Sequence, residues 1–249
     1  MSTKFTKPIV INAPGKDIVF DGIDFTEEAT IEITAAASVT FKNCRFYNVL
    51  TDTADEVQLI GNLHQAPKAA GYKLIIERCY FGNNGVYNMV NVGQTMLNGS
   101  RFNQNYCTND CSKDDRFACY MVEEDAEYNF CENCFENYSH NGFQFSLHGS
   151  PKVTINIEDN YVGAPADDIE MDVRGIARFR PQPKKTTTFG KIIVNANRNM
   201  FAGEPDRVAF CQYKDGDIVL TEKNTPTYCL NGRISTLEIV DSTTSVVEE

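Results

Sequence analysis

An eight-residue pattern recurs along the chain and limits what it can fold into: apolar-x-apolar-x-x-small-x-Phe. Residues 18–25 read IVFDGIDF, 39–46 VTFKNCRF, 74–81 LIIERCYF and 95–102 TMLNGSRF. Residues 128–135 read YNFCENCF, 155–162 INIEDNYV and 194–201 VNANRNMF, and a weaker last copy at 219–226 reads VLTEKNTP. The last position is Phe in six of the eight copies (Phe25, Phe46, Phe81, Phe102, Phe135, Phe201), although only 16 of 249 residues are Phe. Two positions earlier stand Ile23, Cys44, Cys79, Ser100, Asn133, Asn160, Asn199 and Asn224. Five positions earlier stand Phe20, Phe41, Ile76, Leu97, Phe130, Ile157, Ala196 and Thr221.

Successive copies lie 21, 35, 21, 33, 27, 39 and 25 residues apart. A shortest period near 21 with variable insertions is too short and too uneven for helical repeats. It suits a parallel β-solenoid, in which each coil is one rung and insertions loop out between strands. Within a copy the alternation has period two, as a strand requires, so Ile18 and Phe20 point in while Val19 and Asp21 point out. A second strand follows each copy by about seven residues, at 30–33, 57–60, 86–90, 118–122, 143–147, 169–173 and 208–212, and 233–239 closes the series. With ~4.8 Å between rungs, eight rungs give a rod of roughly 35–40 Å. Its ends are open sheet edges that need cover. Residues 1–12 are the candidate N-terminal cap and 241–249 a polar C-terminal tail, within one domain spanning 1–249.

The Phe column and the Asn column (Asn133, Asn160, Asn199, Asn224) resemble those of the right-handed parallel β-helix, or pectate-lyase-like, superfamily, over roughly residues 8–240. Inward Asn amides in register bond to one another along the axis, and inward Phe rings fill the same slot on each rung. The resemblance implies an all-β, single-stranded right-handed parallel β-helix of about eight rungs.

The charge balance, 23 basic against 34 acidic residues for a net −11, opposes non-specific nucleic-acid binding, which needs Lys and Arg against phosphates. No apolar run reaches the roughly 18–20 residues that span a bilayer, so no membrane insertion is expected. The first residues show no signal peptide, and nine cysteines, an odd number, then read as mostly free thiols of a reducing cytosol.

Three groups of residues carry candidate chemistry. Glu170 and Asp172 stand two apart on one expected strand, about 6.5–7 Å, a separation a two-carboxylate glycosidase could use. Arg174 follows them and His148 ends the preceding outward row. A solvated acidic sheet face explains the same residues. Cys107, Cys111, Cys131 and Cys134 could close a tetrahedral zinc site, although free thiols are the simpler reading. The basic run 174–185, with Arg174, Arg178, Arg180, Lys184 and Lys185, falls in the longest insertion and reads either as a solvated loop or as an arm docking on an acidic neighbour. No motif for a nucleotide or other cofactor occurs, and none is expected.

Three function classes remain. The first is a non-enzymatic structural or adhesion module, most plausibly a bacteriophage virion component such as a capsid decoration, head fibre or tail protein. It would be made in the host cytoplasm, reach the outside only on the particle, and associate with copies of itself or with virion proteins. The second is a polysaccharide lyase or glycoside hydrolase of tailspike type, with a glycan as partner. The third is a cytosolic binding or regulatory β-helix.

Overall fold

A computed structural model describes residues 2–49, 57–62, 71–86, 88–110, 117–120, 125–138, 143–147, 153–163, 177–181, 191–202, 210–214, 217–219, 236–241 and 245–247. Among them every regular element is a strand, and no helix is long and apolar enough to cross a membrane.

The strands form three sheets, each taking every third strand as far as Phe210–Lys214, so the chain visits the sheets in rotation. Sheet I holds Asp17–Asp21, Ser38–Lys42, Lys73–Glu77, Arg101–Asn103, Ala126–Cys131, Val153–Glu158, Lys191–Asn197 and Thr236–Asp241. Sheet II holds Thr3–Phe5, Ile23–Glu27, Arg45–Val49, Tyr80–Gly82, Tyr106–Asp110, Cys134–Tyr138, Tyr161–Val162, Met200–Ala202 and Ser245–Val247. Sheet III holds Ile9–Asn12, Ile31–Ala35, Gln58–Asn62, Asn88–Thr95, Phe117–Tyr120, Phe143–Leu147, Ala177–Pro181, Phe210–Lys214 and Asp217–Val219. The described pairings are parallel except the last of sheet III, where Asp217–Val219 turns back antiparallel on Phe210–Lys214. This is a parallel, solenoid-like all-β architecture. Thr3–Phe5 and Ile9–Asn12, expected as a cap, are the first strands of sheets II and III, paired parallel to Ile23–Glu27 and Ile31–Ala35.

Six of the copies, the first three and the fifth to seventh, are a strand of sheet I, a corner of one or two residues, and the start of a strand of sheet II. The first residue of each described turn from sheet I to sheet II is left-handed: Gly22, Asn43, Arg78, Gln104, Glu132, Asp159 and Arg198 have φ between 51° and 68°. That conformation costs an L-residue roughly 1–2 kcal/mol. The inward ladder that follows it offsets this strain. Val153–Glu158 alternates between buried and half-buried along its length, and Val19 is 63% exposed beside the half-buried Phe20.

The register differs from the sequence reading at the fourth copy. Sheet I pairs Phe20 with Phe41, Phe41 with Ile76, and Ile76 with Phe102. Phe102 therefore stands five positions earlier than expected. The column in sheet II runs Phe5, Phe25, Phe46, Phe81, Cys107, Phe135, Val162, Phe201 and Val246. Cys107 takes the Phe slot because Asn105, not Ser100, turns the corner inward. The last copy is also displaced: Thr236–Asp241 and Ser245–Val247 continue sheets I and II, whereas residue 224 lies outside the described residues.

The core runs along the axis as ladders. Phe5, Phe25, Phe46 and Phe81 stack at 5.6, 4.7 and 4.7 Å between centroids, with interplanar angles of 13°, 6° and 7°. Each fully buried ring contributes roughly 1.5–3 kcal/mol by leaving water. Where Cys107 interrupts the stack, Phe102 bridges the gap, 6.0 Å from Phe81 and 6.2 Å from Phe135.

Candidate functional site

The outer face of sheet II gathers the described residues best suited to contact a ligand. Strand alternation puts the residue before each ladder position outside. Along the face this row reads Asp24, Arg45, Tyr80, Tyr106, Cys134, Tyr161 and Met200. Arg45 donates from Nε and Nη2 to the two carboxylate oxygens of Asp24 at 2.7 and 2.6 Å, and the Ser2 hydroxyl donates to the same carboxylate at 2.7 Å. The Arg45 hydrogen bonds hold the Asp24 carboxyl below its ordinary range, against the opposing effect of burial. Arg45 is thereby neutralised, and its guanidinium lies 5.6 Å above the ring centre of Tyr47.

Next to this pair opens a groove of about 410 Å³, lined by Arg45, Tyr47, Asn48, Tyr80 and Asn83. Asn48 and Asn83 each have φ of 53° and stand exposed at the rim. Tyr80 lies flat on the sheet, its ring occupying the space a Cβ at Gly82 would need. Tyr161 does the same at Gly163, where a Cβ would come within 3.2 Å of its ring. Glycine two residues on thus lets a tyrosine lie along the strand with one ring face outward. Tyr106 continues the row, 5.9 Å from Tyr80, and donates its hydroxyl to Glu136 at 2.5 Å. That hydrogen bond to a carboxylate pushes the Tyr106 phenol up.

The residues singled out from sequence fall elsewhere. His148, Glu170, Asp172, Arg174, Lys184, Lys185 and Cys111 lie outside the described residues, as does the expected strand at 169–173. Ala177–Pro181 occupies the sheet III place beside Phe143–Leu147, pairing Gln144 with Arg178 and Ser146 with Arg180. Arg178 and Arg180 are thus strand residues rather than loop residues. Of the zinc candidates, Cys107 is fully buried in the core, whereas Cys134 is half-buried beside the exposed Tyr106 on the opposite face of the same sheet. One tetrahedral ion cannot bind both. Burial pushes the Cys131 thiol up to about 11, and its sulfur lies 3.8 Å from the Asn156 carbonyl. Among the described residues no cluster of three or more His, Cys, Asp or Glu is placed to hold a metal ion.

No family model matches the chain, and no match is found among curated proteins or solved structures. The outer tyrosine row has a sequence signal, a Tyr directly before the ladder residue in CYF, NYC and NYV. The displaced fourth copy hid it by putting Arg101 where Tyr106 belongs.

Proposed function

We propose that the chain is a non-enzymatic structural or adhesion module, a single right-handed parallel β-helix of about eight rungs of the pectate-lyase-like kind. Its proposed setting is a bacteriophage particle, as a capsid decoration, head fibre or tail protein, synthesised in the host cytoplasm and associated with its own copies or with other virion proteins. The observation that carries this reading is how the outward polar side chains are used. They tie one strand to the next along the axis, as the parts of a stiff rod do. Asn43 donates to Asp21 and Arg78 donates to Asn43; Gln104 donates to Glu132; Arg198 grips Asp159 through two nitrogens at 2.6 Å each. On sheet I the amides of Asn129, Asn156 and Asn195 form a second, outward ladder, Asn156 donating to Asn129 and Asn195 to Asn156 at 2.8 Å each. Exposed pairs of this kind add little stability singly, but a continuous series resists bending and shear.

Mass spectrometry of purified particles, with imaging of particle-bound rods, tests the assignment. Presence at a fixed copy number is the expected result. A chain absent from particles and monomeric at high concentration would overturn it.

A further inference from the structure

We infer that the tyrosine face of sheet II is a non-catalytic binding site for a neutral oligosaccharide, seated in the groove between Tyr47 and Tyr80 and running toward Tyr106. This deepens the adhesion reading and rests on it for its setting.

Three observations carry the inference. First, Tyr80 is held flat by the missing side chain at Gly82, so it presents a ring face rather than an edge. A flat ring face packs against the C–H face of a pyranose, while edge-on rings suit apolar interdigitation. Second, the rim supplies planar amides, Asn48 and Asn83, whose paired donor and acceptor match vicinal sugar hydroxyls. Both are exposed, so they keep water contact until a ligand replaces it. Third, the charges at the groove are already matched. Arg45 is bidentate to Asp24, and Tyr106 is engaged by Glu136. An acidic sugar would therefore compete with Asp24 for Arg45 and approach a chain of net charge −11, which selects a neutral one. Tyr80 and Tyr106 stand on adjacent strands with their rings 5.9 Å apart, so the aromatic row extends along the axis and favours a chain over a single sugar.

The experiment is titration calorimetry of the full chain with neutral hexasaccharides (maltohexaose, cellohexaose, mannohexaose and chitohexaose) and with hexagalacturonate as the acidic counter-probe. Binding of at least one neutral probe without its cleavage is expected, and Tyr80→Ala should weaken it by at least roughly tenfold while Tyr80→Phe retains it. Tyr106→Ala, at a site 41% exposed, provides a second variant that leaves the core untouched and should also weaken binding. Binding to none of the neutral probes, tighter binding of hexagalacturonate, or unchanged affinity in both alanine variants would overturn the inference. Particle association is read separately by mass spectrometry, so a chain found on particles that binds no neutral glycan fails here alone.

Discussion

At the scale of single residues, the buried amides explain why Asn105, Asn133, Asn160 and Asn199 form a column in the interior. Asn133 and Asn160 each donate from Nδ2 to the Oδ1 of the next asparagine, at 2.9 Å, and to a backbone carbonyl, at 2.8 Å. The Oδ1 of Asn160 in turn accepts from the backbone and side chain of Asn133. Asn160→Ala therefore strands several buried partners at once, and is expected to cost about 3 kcal/mol or more in urea denaturation. Asp24 gives the residue-scale pH dependence. Its carboxyl is held down in the folded chain by Arg45, below the ordinary value of about 3.9. The stability it adds is fully present above that unfolded value and is lost as pH falls through the folded one. The stability difference between the protein and Asp24→Asn should thus be constant near neutral pH and shrink below about pH 4, measured as urea midpoints across that range. The asparagine column was legible in sequence at positions 133, 160 and 199, because amide, ladder residue and spacing coincide there. Asn105 was not, because the displaced fourth copy put Ser100 in its place.

At the scale of the strand and its corner, the fourth copy shows where pattern reading fails. A register chosen to align Phe put Phe102 in the sheet II column. The chain instead aligns the corner, where a left-handed residue is followed by an inward Asn, and it accepts Cys107 in the aromatic slot. Ser100, displaced from the ladder, donates its hydroxyl to the Leu97 carbonyl at 2.7 Å and accepts from the Leu74 amide at 3.0 Å. Phe102 reaches from its sheet I column into the space beside Cys107, stacking on Phe135 at an interplanar angle of 9°. Restoring the apparent consensus with Cys107→Phe should therefore destabilise by about 1–3 kcal/mol through overpacking. A stabilised variant, measured by urea denaturation, would mean the gap is real and unfilled. The same displacement made the candidate site illegible. Only the correct register brings Tyr80, Tyr106 and Tyr161 into one outward row, and flat rings over Gly82 and Gly163 need a sheet before they mean anything.

At the scale of the whole molecule, the repeated coil was readable because the copy and its following strand recur, but the presence of a third sheet was not, because the corner inside each copy is too short to break the alternation visibly. The sheet III strand at Ala177–Pro181 was not readable either, since its ARFRP sequence resembles a basic loop. The ladders also divide the described core into unequal parts. Toward the N-terminus, Cys44 and Cys79 occupy the corner column and the Phe rings stack closely; beyond Cys107, amides carry the ladder. The joint between them is Tyr80–Gly82, a three-residue strand whose Phe81 ends the close stack and supports Phe102. In a linear array each unit leans only on its neighbours, so loss of one contact is felt first by the adjacent units. Phe81→Ala should cost about 3–5 kcal/mol and uncouple the two parts. Hydrogen exchange should then lose protection at Arg45–Val49 and Lys73–Glu77 while Val153–Glu158, held by Asn133, Asn160 and Asn199, keeps most of its own. An equal loss across all these strands would mean that the aromatic and amide ladders form one cooperative unit and that the joint at Phe81 has no special weakness.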